Sequence, residues 1–141
     1  MLNFGEKIEG VEYQERPSAY AVIRNSEGKF AFVEVRGKLF LLGGGRDAGE
    51  TPQETIVREA MEEAGAVVNV GRKIGEAGDY LLGKENVSLY KVGEFFQATI
   101  EGVPQHGTEA DHKLVWLTFE EAKSRIRHES HAWAIEQILQ K

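Results

Sequence analysis

The chain reads as an α+β fold, a mixed β-sheet with helices packed against it, and three observations predict this. Short β-rich runs precede one strongly signalled helix, further such runs follow it, and the last stretch returns to helical periodicity. That order is neither all-β nor a regular βαβ alternation, and a mixed sheet flanked by helices is the simplest arrangement that buries both kinds of element. With 141 residues, no Ser/Pro-rich linker and no shift of composition, residues 1–141 are expected to form a single domain.

The elements follow in order. "SAYAVIRNSEGKFAFVEVRGKLFLL", residues 18 to 42, holds β-rich runs interrupted by the turn-forming "NSEG" and "RGK", and predicts three strands in succession. Thr51 then offers an N-cap, Pro52 suits the first helical position, Glu54 completes a capping box, and Gly65 is a natural stop. At about 100° per residue, Val57, Ala60, Met61 and Ala64 share one face of that helix. Glu59, Glu62 and Glu63 fall together on the opposite side and predict an acidic outer face. "AVVNV", "YLL", "NVSLYKV" and "EFFQATI" are expected strands, punctuated by Gly71, Gly75, Gly78, Gly83 and Gly93, and "KLVWLT" is one more. Thr118 and Glu121 have capping-box spacing at the head of "TFEEAKSRI", and "HAWAIEQILQK" closes the chain as helix. Phe95, Phe96 and Trp116 lie in strand runs and are assigned to the core. His128 and His131 have no cysteine or third clustered histidine beside them, and are expected on the surface rather than on a zinc ion.

Composition narrows the function. Hydrophobic residues at 41% and charged residues at 28% are ordinary for a globular chain with a real core and argue against disorder. The absence of cysteine excludes disulfides and thiolate metal sites. "MLNFGEKIEG" lacks a basic start followed by an apolar run, so a cytoplasmic location with no membrane partner is the expectation. A net charge of -6 opposes a nucleic-acid polymer or polyphosphate gripped by charge alone, so a phosphate ligand here calls for a mediating cation.

The glutamates point the same way. Glu59 faces Glu62 at i,i+3 and Glu63 at i,i+4, like-charge contacts that each cost roughly 0.2–0.5 kcal/mol, and no lysine offsets them. Clustered carboxylates are the hard oxygen ligands that Mg2+ or Mn2+ prefers. Just upstream, Gly43, Gly44 and Gly45 allow backbone to approach a ligand closely, and the helix N-terminus adds a field favourable to phosphate. No lysine follows as a P-loop requires.

Together these residues resemble the Nudix box, G-x5-E-x7-R-E-U-x-E-E-x-G-U, where U is a bulky aliphatic. Gly44, Glu50, Arg58, Glu59, Glu62, Glu63 and Gly65 all fall in register. Ala60 and Ala66 stand at the two U positions and Leu42 replaces a proline common in relatives, changes that thin the packing behind the helix but touch no ligand. The resemblance implies a Nudix-type α/β/α sandwich and hydrolysis of a phosphoanhydride bond in a nucleoside diphosphate linked to another group, with magnesium or manganese. By that likeness Glu59, Glu62 and Glu63 hold metal, and Arg58 pairs with Glu50 to position them. A further ligand or base is sought in "EGVPQHGTEADHKLVW", where Glu109 is preferred over Asp111 and His112, with Glu94 as a weaker candidate. Tyr80 is a candidate to stack on a base, and Arg36 and Lys38 to meet phosphates. Relatives are often homodimers. The alternative is a non-catalytic nucleotide-binding or sensing module of the same fold. Leu81, Leu82 and Gly83, where subgroups of the family diverge, carry no proline of the ADP-ribose type, and nucleoside triphosphates, ADP-sugars and dinucleoside polyphosphates all stay open as substrates.

Overall fold

A computed structural model describes residues 1–82 and 84–140. In chain order the elements are β1 (Leu2–Phe4), β2 (Gln14–Ile23), β3 (Phe30–Val35), β4 (Lys38–Phe40), β5 (Leu42–Gly45), α1 (Pro52–Ala64), β6 (Val67–Leu82), β7 (Ser88–Glu101), β8 (Lys113–Leu117), α2 (Phe119–Ala122) and α3 (Glu129–Leu139). Five strands form a mixed sheet in the order β1-β6-β7-β2-β5, and three form an antiparallel sheet in the order β4-β3-β8.

Strand β2 shows why the architecture is layered. Ala19, Ala21 and Ile23 alternate with Tyr20 and Val22, and all five are buried, because successive side chains leave a strand on opposite faces and here both faces are covered. Ile56, Ala60 and Ala64 of α1 pack on the first set, and Ala134 and Ile135 of α3 on the second. The mixed sheet therefore lies between helices, as expected from strands, a helix, further strands and a closing helix.

Several elements differ from their sequence-based outline. The glycines of the 67–82 stretch do not divide it: β6 runs through Gly71, Gly75 and Gly78, with register shifts on either side of Lys73 that absorb the irregularity as bulges. Gly93 likewise sits inside β7, which joins "NVSLYKV" to "EFFQATI". Gly83 and Lys141, at the ends of a predicted strand and helix, lie outside the described residues. "TFEEAKSRI" supplies only the short α2, although its Thr118–Glu121 capping box forms.

Two corrections matter for function. The buried face of α1 is turned from the one expected: Val57 and Met61 are about half exposed, whereas Thr55, Ile56 and Glu63 are buried with Ala60 and Ala64. His128 and His131 are not surface residues but are buried, 7% and 1% exposed. The ring of His131 packs against Tyr20 and Phe95, and its Nδ1 accepts a hydrogen bond from the Leu41 N–H at 3.1 Å. Burial holds both histidines neutral, His128 pushed down to about 3 and His131 well below the usual range.

Candidate active site

The glycine run is itself a strand edge. Gly43, Gly44 and Gly45 belong to β5, paired antiparallel with Tyr20, Ala19 and Ser18 of β2. The close fit explains the residue type: Gly43 has φ +143°, and a Cβ there would lie 2.1 Å from the Ala19 carbonyl oxygen. Its N–H points toward α1 and donates to Glu63 Oε1 at 3.1 Å. Glu63 is thus carried inward, to 8% exposure, by the rotation of α1 that leaves Val57 and Met61 outside.

Burial dominates the chemistry of that carboxyl. It pushes Glu63 up to about 9, against the single hydrogen bond from Gly43, and the charges of Glu59, Glu109 and Glu62 push it in the same direction. Glu59, whose side chain is 17% exposed, is also raised by burial, opposed by its hydrogen bond from Arg58.

Arg58 organises the outer part of the cluster. Its Nε donates to Glu50 Oε2 at 2.6 Å and its Nη2 to Glu50 Oε1 at 3.0 Å, a two-point clamp, while Nη2 also reaches the Gly45 carbonyl at 3.0 Å. Nη1 donates to Glu59 Oε1 at 2.8 Å and lies 3.3 Å from Glu62 Oε2. Arg58, with the Asp47 N–H, holds Glu50 down to about 2, and Glu50 in turn accepts from Thr55 Oγ1. One guanidinium thus ties β5, the loop before α1 and two turns of α1 together.

The loop before β8 hangs from the C-terminal end of α1. Gln105 N–H donates to Gly65 O, and Thr108 N–H and Glu109 N–H to Glu62 O, partnering carbonyls that the helix leaves unpaired. Gly107 fits between them, since a Cβ there would lie 2.4 Å from Glu62 O. The tether brings Glu109, paired with His112 at 2.8 Å, to the same cavity as Glu59 and Glu63. That cavity has a volume of about 270 Å³; Gly43 and Gly44 form part of its wall, and Tyr20, Phe40, Val33 and Val35 an aromatic and aliphatic one. A groove of about 700 Å³ under the 104–107 stretch shares Glu63 and His112 with it.

Other candidates fall elsewhere. Gly45 is exposed and does not line the cavity, nor does Arg36, which sits at the exposed β3–β4 turn with φ 50°. Tyr80 stacks on Tyr90 at 4.5 Å and meets Tyr13 edge-on at 5.0 Å, in a separate aromatic cluster. Glu94 is occupied by Lys73 at 2.8 Å and Arg46 at 3.5 Å. Conversely, Tyr20, Phe40 and Lys91 line the cavity without any local sequence signal, because strand pairing across 75 residues, such as Tyr20 opposite Phe95, leaves no local pattern.

Glu59, Glu62, Glu63 and Glu109 are all hard oxygen donors, close enough that the charges of Glu62 and Glu109 add to the raised proton affinity of Glu59 and Glu63. By type they fit a divalent cation. Among the described residues no three His, Asp or Glu side chains already converge on one point, as Arg58 draws Glu59 and Glu62 outward while Gly43 holds Glu63 inward.

Comparison with known proteins bears on this cluster. The NUDIX domain family model matches residues 14–139. No match is found among curated protein sequences. Among solved structures, the chain is similar to a NUDIX hydrolase from Nitrosomonas europaea, with 20% identity, a TM-score of 0.74 and coverage of 89% of this chain and 88% of that one. It is also similar to a MutT protein from Methanosarcina mazei Go1, with 19% identity, a TM-score of 0.74 and coverage of 93% and 98%. A dihydroneopterin triphosphate pyrophosphohydrolase from E. coli aligns with 17% identity, a TM-score of 0.67 and coverage of 89% and 95%. At these identities the likeness speaks for the fold.

Proposed function

Since the chain belongs to the Nudix family and is a pyrophosphohydrolase of that kind, we propose that its acidic cavity hydrolyses a nucleoside diphosphate linked to another moiety, using Mg2+ or Mn2+. The observation that carries this is the gathering of Glu59, Glu63 and Glu109 on one cavity, with Glu62 beside them on α1 and the Gly43–Gly44 backbone opposite.

Glu59, Glu62, Glu63 and Glu109 would hold the metal. When bound, it supplies the positive charge that a diphosphate needs and acidifies a water for attack on phosphorus. The remaining work belongs to the chain. Arg58 fixes the orientation of Glu59 and Glu62 through its clamp on Glu50. Gly44 leaves room for Glu59, whose Oε2 would lie 2.8 Å from a Cβ at that position. Glu63 keeps its proton near neutrality in the metal-free chain, so it would serve as a ligand or as the general base only once a bound cation lowers its affinity for that proton. The Tyr20–Phe40 wall accommodates an apolar ring, and the groove sharing Glu63 and His112 leaves space for the second moiety. Residues 1–141 act as one catalytic domain in this reading.

The test is a panel of nucleoside triphosphates, nucleoside diphosphate sugars and dinucleoside polyphosphates, assayed with magnesium and with manganese, with products identified by mass. Turnover that depends on the divalent ion and disappears in Glu62→Gln and Glu63→Gln is expected. Full turnover in both variants overturns the assignment.

A further inference from the structure

Two chemically distinct sets of side chains line the cavity: the carboxylates Glu59, Glu63 and Glu109, and the aromatics Tyr20 and Phe40 with Lys91. Lys91 is the single lysine or arginine among the described residues that line it. Its Nζ sits 5.8 Å from the centre of the Tyr20 ring, a cation–π distance, and it forms no ion pair among the described residues. The carboxylate opposite it on β6, Asp79, is engaged instead by the N–H and hydroxyl of Ser130 at the start of α3.

We infer that Lys91 determines base specificity, donating a hydrogen bond to an exocyclic carbonyl of a nucleobase held against Tyr20 and Phe40, so that keto bases are preferred to amino bases. The chemistry follows from the donor inventory. An ammonium has three donors and no acceptor, so it rewards the carbonyl oxygen of guanine or uracil and meets the amino group of adenine or cytosine donor to donor. A phosphate is the other acceptor to consider, but Glu59, Glu63 and Glu109 would hold the cation that neutralises phosphates in the proposed activity. Lys91 lies on the aromatic side, where a ring is the natural neighbour.

This inference rests on the nucleotide reading above, and its test is arranged to be independent of turnover. Calorimetry in magnesium with GMP, UMP, AMP and CMP, none of which contains an anhydride bond, compares wild type with Lys91→Met. Wild type is expected to bind GMP and UMP about 10-fold more tightly than AMP and CMP, the worth of one hydrogen bond from a charged donor. Lys91→Met is expected to bind all four alike, and Lys91→Arg to keep the keto preference. Equal binding of the four by wild type, a preference that survives Lys91→Met, an equal loss for all four (a phosphate contact) or no binding at all each overturns the inference. Should Lys91→Met fail to fold, as its melting curve would reveal, the Lys91→Gln comparison decides in the same way. Selective binding by a protein that hydrolyses nothing in the panel would refute the proposed activity and leave this inference standing.

Discussion

Replacing Glu63 by glutamine should stabilise the metal-free protein in mild alkali, and the size of the effect follows from its position. Glu63 is 8% exposed, accepts one hydrogen bond from Gly43, and is raised from 4.5 to about 9 by burial and three neighbouring carboxylates. Between those values the folded chain keeps a proton that the unfolded chain releases. The stability contributed by this group is therefore complete below pH 4.5 and falls as the pH rises through 9. At about 1.4 kcal/mol per pH unit the loss over that interval is on the order of 6 kcal/mol, and water entering the cavity as the carboxylate forms should reduce it to about half. Glutamine can still accept from Gly43 and carries no charge. Urea titrations of chelated wild type and Glu63→Gln should coincide at the acid end and separate by about 3 kcal/mol at the alkaline end, or about 6–12 °C in melting temperature. Magnesium should close the gap by stabilising wild type more than the variant. Parallel stability curves for the two proteins across the whole range would mean that Glu63 titrates as an exposed carboxylate and that the burial argument is wrong.

Arg58→Lys keeps the charge but loses the fork that spans Glu50, Glu59, Glu62 and Gly45 O, so kcat/KM in magnesium should fall about 10- to 100-fold with a smaller change in melting temperature. Gly107→Ala forces the loop away from Glu62 O and carries Glu109 with it; a loss of activity of about 100-fold with near-normal stability is expected from steady-state kinetics and a melt. His131→Phe leaves the buried Leu41 N–H without its acceptor and should cost about 1–3 kcal/mol by urea unfolding. His128, pushed down to about 3 from 6.5, contributes stability that is complete above pH 6.5 and lost as the pH falls toward 3, and His128→Phe should flatten that acid limb.

How legible this was depends on which interactions are local. The helix limits follow from Thr51, Pro52, Glu54 and Gly65 alone, and all four take the roles their chemistry suggests. The rotation of α1 does not, because hydropathy assigns Val57 and Met61 inward and Glu63 outward. What turns the helix is a backbone N–H of β5 that donates to Glu63, a partner no helical wheel contains. The tether of the 104–109 stretch is made of backbone N–H groups, which any residue supplies, so only Gly65 and Gly107 mark it in the sequence. The burial of the two histidines is not legible for a related reason: spacing can test them as metal ligands, but the aromatic cage around His131 is assembled from β2, β7 and β4.

The site also shows why the fold leaves its charge imbalance in place. A single lysine among Glu59, Glu63 and Glu109 would relieve their repulsion and stabilise the protein, yet on the proposed reading such a fixed charge would fill the space where phosphate oxygens and their counter-ion would meet. Arg58 avoids this by acting from outside the cavity: it neutralises Glu50, engages one oxygen of Glu59, and does not line the cavity itself. The inner carboxylates are left under-compensated, and the proton that burial drives onto Glu63 near neutrality is the signature of that deficit. In the proposed activity an exchangeable divalent cation would remove the deficit only while bound, which would couple its binding to that of a diphosphate. On the proposed reading, the same separation would let a chain with net charge -6 handle an anionic substrate: attraction would come from the ion held by the carboxylates, and Lys91, the cation that lines the cavity beside Tyr20, would discriminate between bases instead of competing for phosphate.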